Sequence, residues 1–312
     1  MDPLSDVLSL VKPRSYGSGA LTAGGRWAIQ FAGRQGLEGI KCYAVVKGEC
    51  WVAVEGVPDP VRLATGDCLI LPHGHAFRLG SDLTARPIDA RTLTVGAGYN
   101  RNHVGAPGDD FFLLGGHFAL EGNADLLLSV LPPVVHLQKE SDKAALRGAV
   151  ERIVDEMREP RPGGTLIAQQ SAYTMLVLAL RLYLAEGERG GVGWLFALAD
   201  EQVARAIAAI HDKPADAWTV QSLAETAGMS RTAFAERFRR TVGASPLEYL
   251  TRWRMLLAAD RLRCSTDSLS VVAQAVGYES ESAFGAAFKR TMGASPREYA
   301  RAPSPPSKSN AP

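Results

Sequence analysis

The chain has almost no excess of either charge: 34 Lys and Arg stand against 33 Asp and Glu, a net of +1. A global polycation that adheres to nucleic acid or membrane is therefore excluded, and only local charge can matter. It also lacks a continuous apolar run long enough to cross a bilayer. Its first residues, with Asp2 and Asp6, do not follow the basic-then-apolar pattern of a secretory signal, so a cytoplasmic chain with no membrane contact is expected. Cysteine is scarce. Cys42, Cys50, Cys68 and Cys264 have no metal-type spacing, and in a reducing compartment they are expected as free thiols. What is present is ordinary for globular protein, 46% apolar and 21% charged over 312 residues, enough for two cores.

One stretch repeats. Phe234, Phe238, Gly243, Ala244, Ser245, Pro246, Glu248 and Tyr249 recur fifty positions later as Phe284, Phe288, Gly293, Ala294, Ser295, Pro296, Glu298 and Tyr299. Upstream, Thr219, Leu223, Ala224 and Gly228 answer to Ser268, Val272, Ala273 and Gly277, so the second copy carries one extra residue in its turn. Each copy reads as two short helices around a glycine turn. Thr219 and Ser268 cap the first helix, Gly228 and Gly277 end it, and Ser230 and Ser280 cap the second. Ala233, Phe234 and Phe238, and then Ala283, Phe284 and Phe288, are expected inside. Ser245-Pro-x-Glu248 and Ser295-Pro-x-Glu298 are capping boxes that start further helices. The helix from Pro246, with Leu247, Leu250, Trp253 and Leu257 as its apolar run, continues to about Cys264. At 1.5 Å per residue it is a rod of about 27 Å, near the ~34 Å between successive major-groove faces of DNA.

From about Asp200 to Arg301, down to the unequal turns Ala-Gly-Met-Ser-Arg and Val-Gly-Tyr-Glu-Ser, the segment resembles the AraC/XylS-type DNA-binding domain of bacterial transcription regulators. The resemblance implies seven helices and two helix-turn-helix units, the second helix of each lying in the major groove of double-stranded DNA. On that placement Arg231, Thr232, Ala235 and Glu236 face bases on the first recognition helix, and Glu281, Ser282, Gly285 and Ala286 on the second. The family usually carries long donors where this chain has Ala235, Glu236, Gly285 and Ala286. Arg231 is suited to guanine and Glu236 to cytosine N4. Ser230, Arg239, Arg240, Ser280, Lys289 and Arg290 are placed for phosphates. Between Arg231 and Arg263 eight arginines meet only three acids, a local basic patch.

Residues 1 to about 120 read as β. Short β-favouring runs, Trp27 to Phe31, Cys42 to Val46, Trp51 to Val54 and Cys68 to Leu71, are separated by Gly or Pro clusters, the spacing of a sandwich or barrel. The phrase from Leu63 through Gly66-Asp67 to Pro72-His73-Gly74, followed by Gly-Gly-His117-Phe118 and Pro-Pro-Val-Val-His136, resembles the cupin-type sensor domains of the same regulators. Cupin metal sets use a His-x-His, a Glu and a later His; here those positions fall near Lys41, Cys42, Tyr43, Ala44 and Phe77, so no metal and no cofactor is expected. A soft metal at His73 and His75 with Cys42, Cys50 and Cys68 is the alternative. Trp27, Tyr43, Trp51, His73, His75 and Phe77 are the candidate effector residues.

From Ser141 the period turns helical. Leu146, Val150, Ile153 and Met157 mark one amphipathic helix, and Thr165 to Ala185 forms another that is apolar nearly all round, suited to burial against its own barrel or in a dimer. The expected fold class is α+β and multidomain: a cupin-like β-barrel sensor at 8–137, a helical dimerisation layer at 141–186, a linker at 187–199, an all-α DNA-binding domain at 200–301, and a disordered tail at 302–312. The expected function is a homodimeric, sequence-specific transcription regulator, not an enzyme, that answers a small-molecule effector; RNA polymerase is a further candidate partner. Two alternatives stay open: a metal-dependent cupin enzyme tethered to DNA, and a constitutive DNA-binding protein whose barrel only dimerises it.

Overall fold

The computed structural model describes residues 2–33, 39–93, 99–120, 128, 130–159, 161–185 and 192–301. Residues 187–191 of the expected linker and the tail from 302 lie outside them. The chain divides into two compact units, one built from 13–120 and 131–185, the other from 1–12, 121–130 and 186–312. No helix among the described residues is long and apolar enough to cross a membrane.

The first unit holds two sheets. β1 (Pro13–Gly24), β3 (Gly39–Lys47), β6 (Cys68–Leu71), β9 (Tyr99–Gly105), β10 (Phe111–Leu120) and β11 (Val135–Leu137) form six strands in the order β11-β6-β3-β10-β1-β9. β2 (Ala28–Phe31), β4 (Glu49–Val54), β5 (Val61–Ala64), β7 (Phe77–Gly80) and β8 (Ile88–Asp89) form five in the order β5-β4-β7-β2-β8. Alternation decides what lies between them. Leu21, Val45, Leu69 and Leu113 from one sheet meet Ile29, Val52, Leu63 and Leu79 from the other in one apolar core. The Gly66-Asp67 turn is a structural knot: Gly66 takes φ +89°, and buried Asp67 accepts from the Ala64 N–H and from His136 Nε2 at 2.8 Å, with Lys143 Nζ 3.2 Å away.

On the outer face of the larger sheet lie α2 (Glu140–Arg158) and α3 (Gly164–Ala185). α3 buries Ala168, Ala172, Met175, Leu176, Ala179 and Leu180. Gly116 lets it approach the sheet, because a Cβ there would sit 3.5 Å from Ala172 Cβ and 3.1 Å from the Phe118 ring. Much of the apolar surface assigned to a dimer interface is thus used on the chain's own barrel; Leu166 and Ile167 stay exposed.

In the second unit seven helices fill 201–301: α5 (Glu201–Asp212), α6 (Val220–Ala227), α7 (Arg231–Val242), α8 (Pro246–Cys264), α9 (Leu269–Ala275), α10 (Glu281–Met292) and α11 (Pro296–Arg301). Two corrections concern what surrounds them. Residues 194–197 of the expected linker form a helical turn, α4 (Trp194–Ala197), whose Trp194, Leu195 and Ala197 are buried. Residues 3–11, expected partly in the sensor, form α1 (Pro3–Val11), capped by Asp2, whose Leu4, Val7, Leu8 and Val11 are buried within the helical unit against α5 and α8. Polar contacts fix that docking. Lys12 pairs with Asp260 at 2.5 Å, and Asp6 Oδ2 lies 3.2 Å from His211 Nδ1. The His211 ring stacks 3.7 Å from Trp253, and its Nε2 is 2.8 Å from the Tyr249 hydroxyl.

Candidate nucleic-acid interface

The two repeats fold into the same local course because the same residue types close the same turns. Thr219 and Ser222 form a reciprocal capping box at the start of α6; Gly228, at φ +68°, ends that helix, and Met229 N–H bonds back to Ala224 O at 2.9 Å. Ser230 then caps α7 through the Ala233 N–H. In the second copy Ser268 caps α9, Gly277 takes φ +80°, and Ser280 caps α10 through the Ala283 N–H at 3.2 Å. Gly277 is required on two grounds, since a Cβ would meet Ala215 O at 2.5 Å. Ser245 and Glu248 make both bonds of their capping box at the head of α8, as do Ser295 and Glu298 at the head of α11.

α7 buries Phe234, Phe238 and Val242; α10 buries Phe284, Ala287 and Phe288. Ala233 and Ala283, expected inside, are exposed. The buried stripe recurs every four residues and is narrow, so the position one residue before each first Phe turns out to water. The stripe leaves Arg231, Thr232 and Glu236 exposed on α7, with Ala235 half-buried; on α10 it leaves Glu281, Ser282 and Ala286 exposed, with Gly285 half-buried. Arg239, Arg240, Lys289 and Arg290 lie exposed in the last turns of the two helices, where cations also complement the helix dipole. The hydroxyls of Ser230 and Ser280 accept cap bonds; the Ser230 O–H is left available as a donor, and the Ser280 hydroxyl also lies 3.3 Å from that of Ser282.

The basic patch divides into two classes. Arg237 bonds Asp200 at 2.5 Å and Gln202 at 2.8 Å; Arg254 donates to Pro214 O and Asp216 O; Arg261 pairs with Asp267; Arg263 lies 4.2 Å from the centre of the Tyr299 ring. These four hold the fold. Arg231, Arg239, Arg240 and Arg252 are exposed and form no ion pair among the described residues. Charge counting along the sequence could not make this separation. Of the exposed four, Arg252 lines a cleft of about 600 Å³, together with Leu247, Glu248, Thr251, Arg290 and Met292 among others; Leu247, expected in the apolar run of α8, is exposed there.

Gly285 sits in mid-helix with nothing within 4 Å of the place a Cβ would occupy. Gly285→Ala is expected to stabilise the helical unit by about 0.5–1 kcal/mol, read as a raised denaturation midpoint. If that position lies against DNA, the same change leaves stability higher and DNA affinity lower.

The six candidate effector residues separate into two ends of the barrel. Tyr43 and Phe77 have ring centres 6.0 Å apart; His73 and His75 follow β6 and precede β7 at that same end. Trp27 is buried at the opposite end, 5.0 Å from Phe111, and Trp51, level with Gly80 there, faces outward and is 41% exposed. Trp51 therefore does not line the interior: Cys50, Val52 and Val54 are the inward residues of β4. The soft-metal group does not converge. Cys42 and Cys68 lie 3.7 Å apart on the outer side of the sheet, Cys50 is in the core, and His73 Nε2 bonds Leu131 O at 2.8 Å. All four thiols are free, and the hydrogen bond with Cys68, together with burial, pushes Cys42 well above the ordinary thiol range.

Comparison with known proteins agrees with both halves. Residues 2–185 match the family described as Cupin and residues 223–302 the family described as Helix-turn-helix domain. A protein of Streptomyces lividans described as an AraC-like transcription regulator is 44% identical over 284 residues, 90% of this chain and 92% of that protein. The HTH-type transcriptional regulator AlkR of Acinetobacter baylyi is 30% identical over 70% of this chain and 74% of its own length. Among solved structures, the DNA-binding domain of AdpA in complex with a target DNA is 35% identical over 31% of this chain and 87% of that one, at a TM-score of 0.30. The chain belongs to the AraC-type family of helix-turn-helix transcription regulators, with a cupin domain ahead of its DNA-binding domain.

Proposed function

We propose that this regulator holds two reading heads on one rod: α6 with α7, and α9 with α10, each act as a helix-turn-helix unit, and α7 and α10 enter successive major grooves of one duplex. The observation that carries this is the matched pair of caps and glycine turns at either end of α8, a helix of 19 residues. At 1.5 Å per residue α8 spans about 28 Å, close to the ~34 Å groove repeat. Arg231 and Glu236 read bases in the first groove. Glu281 and Ser282 face the second groove at the start of α10, but Gly285 and Ala286 offer no hydrogen-bonding side chain, so the second head mainly anchors. Ser230, Arg239, Arg240, Ser280, Lys289 and Arg290 bind phosphates.

The wider reading is a cytoplasmic homodimer that responds to a small molecule in its barrel by favouring one arrangement of its parts, since only differential affinity shifts such an equilibrium. Exposed Leu166 and Ile167 on α3 are the part of the helical layer left for a second copy. RNA polymerase is the partner expected if the regulator activates.

Two variants test the DNA assignments by titration of binding against salt. Arg240→Ala is expected to weaken binding to every duplex and to lower the slope of log affinity on log salt by about 0.9. Glu236→Gln is expected to leave the slope alone and relax one base position, a change of about 1–3 kcal/mol in discrimination. An unchanged slope for Arg240→Ala removes that residue from the phosphate contacts.

A further inference from the structure

The cleft beside Arg252 lies between the two heads. α7 ends at Val242 and α8 starts at Pro246, so the first half of α8, which forms one wall, follows directly on the first recognition helix. The other wall is Arg290 and Met292, at the end of the second recognition helix, α10. Arg252 and Arg290 thus reach one cleft of about 600 Å³ from different elements. Both are exposed, and neither forms an ion pair among the described residues.

The rest of the lining decides what that charge can hold. Among the described residues of the cleft Glu248 is the one acid, and it is already engaged: its carboxylate accepts the Ser245 N–H at 2.8 Å. Bonding to Ser245 holds its carboxyl below the ordinary range, and the nearby Arg239 charge adds to the effect. Arg239 therefore offsets the acid, and the guanidinium charges of Arg252 and Arg290 are left without a counter-ion among the described residues. Thr251 donates to Leu247 O at 2.8 Å, so the two arginines are the strong donors of this surface. Like charges that face one cleft repel, and an anion between them turns that repulsion into attraction.

We infer that Arg252 and Arg290 hold a phosphate of the DNA backbone in this cleft, in the stretch between the two major grooves. The inference rests on the reading that α7 and α10 enter one duplex, and it adds a contact on the rod that neither head makes alone. Midway between two groove centres one turn apart, about 5 base pairs from each, the minor groove and its backbones face the protein. A guanidinium suits a phosphate because its planar fork meets two oxygens at once. Exposed Leu247 and half-buried Met292 beside the arginines offer the adjoining deoxyribose an apolar surface. A grip on the spacer reads no base directly. It makes affinity depend on how readily the spacer backbone reaches the cleft, and so on bases that neither helix touches.

The full chain is bound to a duplex that it selects from a random pool, with single phosphates replaced in turn by neutral methylphosphonates. Neutralising a spacer phosphate is expected to weaken wild type about tenfold, with the loss much reduced in Arg252→Gln. Neutralising a phosphate beside the α7 block weakens both proteins alike. Arg252→Gln is also expected to lower the slope of log affinity on log salt by about 0.9, with an unchanged urea midpoint, and Arg252→Lys to restore most of that slope. A spacer with no sensitive phosphate, or equal sensitivity of wild type and Arg252→Gln there, overturns the inference. If phosphates beside both blocks still matter, the two heads stand without it; if sensitivity is confined to one block, the two-head reading falls as well. Titration with pyrophosphate separates the other source of the same chemistry. A melting temperature raised by pyrophosphate in wild type and not in Arg252→Gln, with a silent spacer scan, gives the cleft to a free phosphate and overturns the DNA contact.

Discussion

Val7→Asp is expected to lower the stability of the DNA-binding half by about 3–5 kcal/mol, although Val7 lies some two hundred residues before that domain in sequence. Val7 is fully buried on α1, in a face shared with Leu4, Leu8 and Val11. The new carboxylate finds no cationic partner in that apolar face, and the lost valine burial, about 1.5–3 kcal/mol, is part of that total. Ser9→Asp, on the exposed side of the same helix, is the control and is expected to stay within about 0.5 kcal/mol of wild type. Hydrogen exchange along α5 and α8 reads the result. Faster exchange there in Val7→Asp, and not in Ser9→Asp, is the expected pattern; unchanged protection in both means that α1 is dispensable to the helical core.

Acid is expected to weaken the same half. Burial pushes the His211 pKa down to about 3, so the folded protein keeps this ring neutral while the unfolded chain titrates near 6.5. The unfolded state therefore binds more protons between those values, and stability is complete above about pH 6.5. It falls as pH drops toward 3, at up to about 1.4 kcal/mol per pH unit. Asp6, which faces His211, acts in the opposite sense. Desolvation raises its pKa, so just above 3.8 the folded state takes up the extra proton and the loss is moderated. Around the ring are Tyr249, whose hydroxyl burial pushes far upward, and the uncharged Trp253. Denaturation midpoints at pH 7, 6, 5 and 4.5 give the profile. His211→Gln, which retains a donor and an acceptor toward Asp6 and Tyr249, is expected to flatten it; a profile as steep as wild type assigns the acid sensitivity elsewhere.

How much of this was legible in the sequence depends on the range of the interaction. Caps and glycine turns are local, so Thr219, Gly228, Ser230, Ser245 and their second-copy counterparts took the positions that the residue types imply. The β runs were legible for the same reason, but strand order was not, because nothing in Trp51 or Cys50 says which of the two faces the core until β7 pairs alongside. α1 carried a readable helix start in Asp2 and Pro3 and an apolar face at Leu4, Val7, Leu8 and Val11, but its partner surface lies on α5 and α8. No pattern within residues 1–12 identifies that surface. A lone histidine such as His211 likewise has no sequence signal that separates a buried, stacked ring from a surface one. The arginines show the limit most clearly. Arg237 and Arg240 look alike in the chain, but Asp200 and Gln202 take up the first while the second stays exposed.

Selection from a random duplex pool by the full chain at moderate salt, with sequencing of the bound fraction, tests the central claim most directly. Two heads on one rod predict an enriched motif of two short blocks with centres about 10–10.5 base pairs apart, the block under α7 being the more sharply specified. A single block with no partner one helical turn away, or no enriched motif at all, contradicts the claim that both heads engage successive grooves.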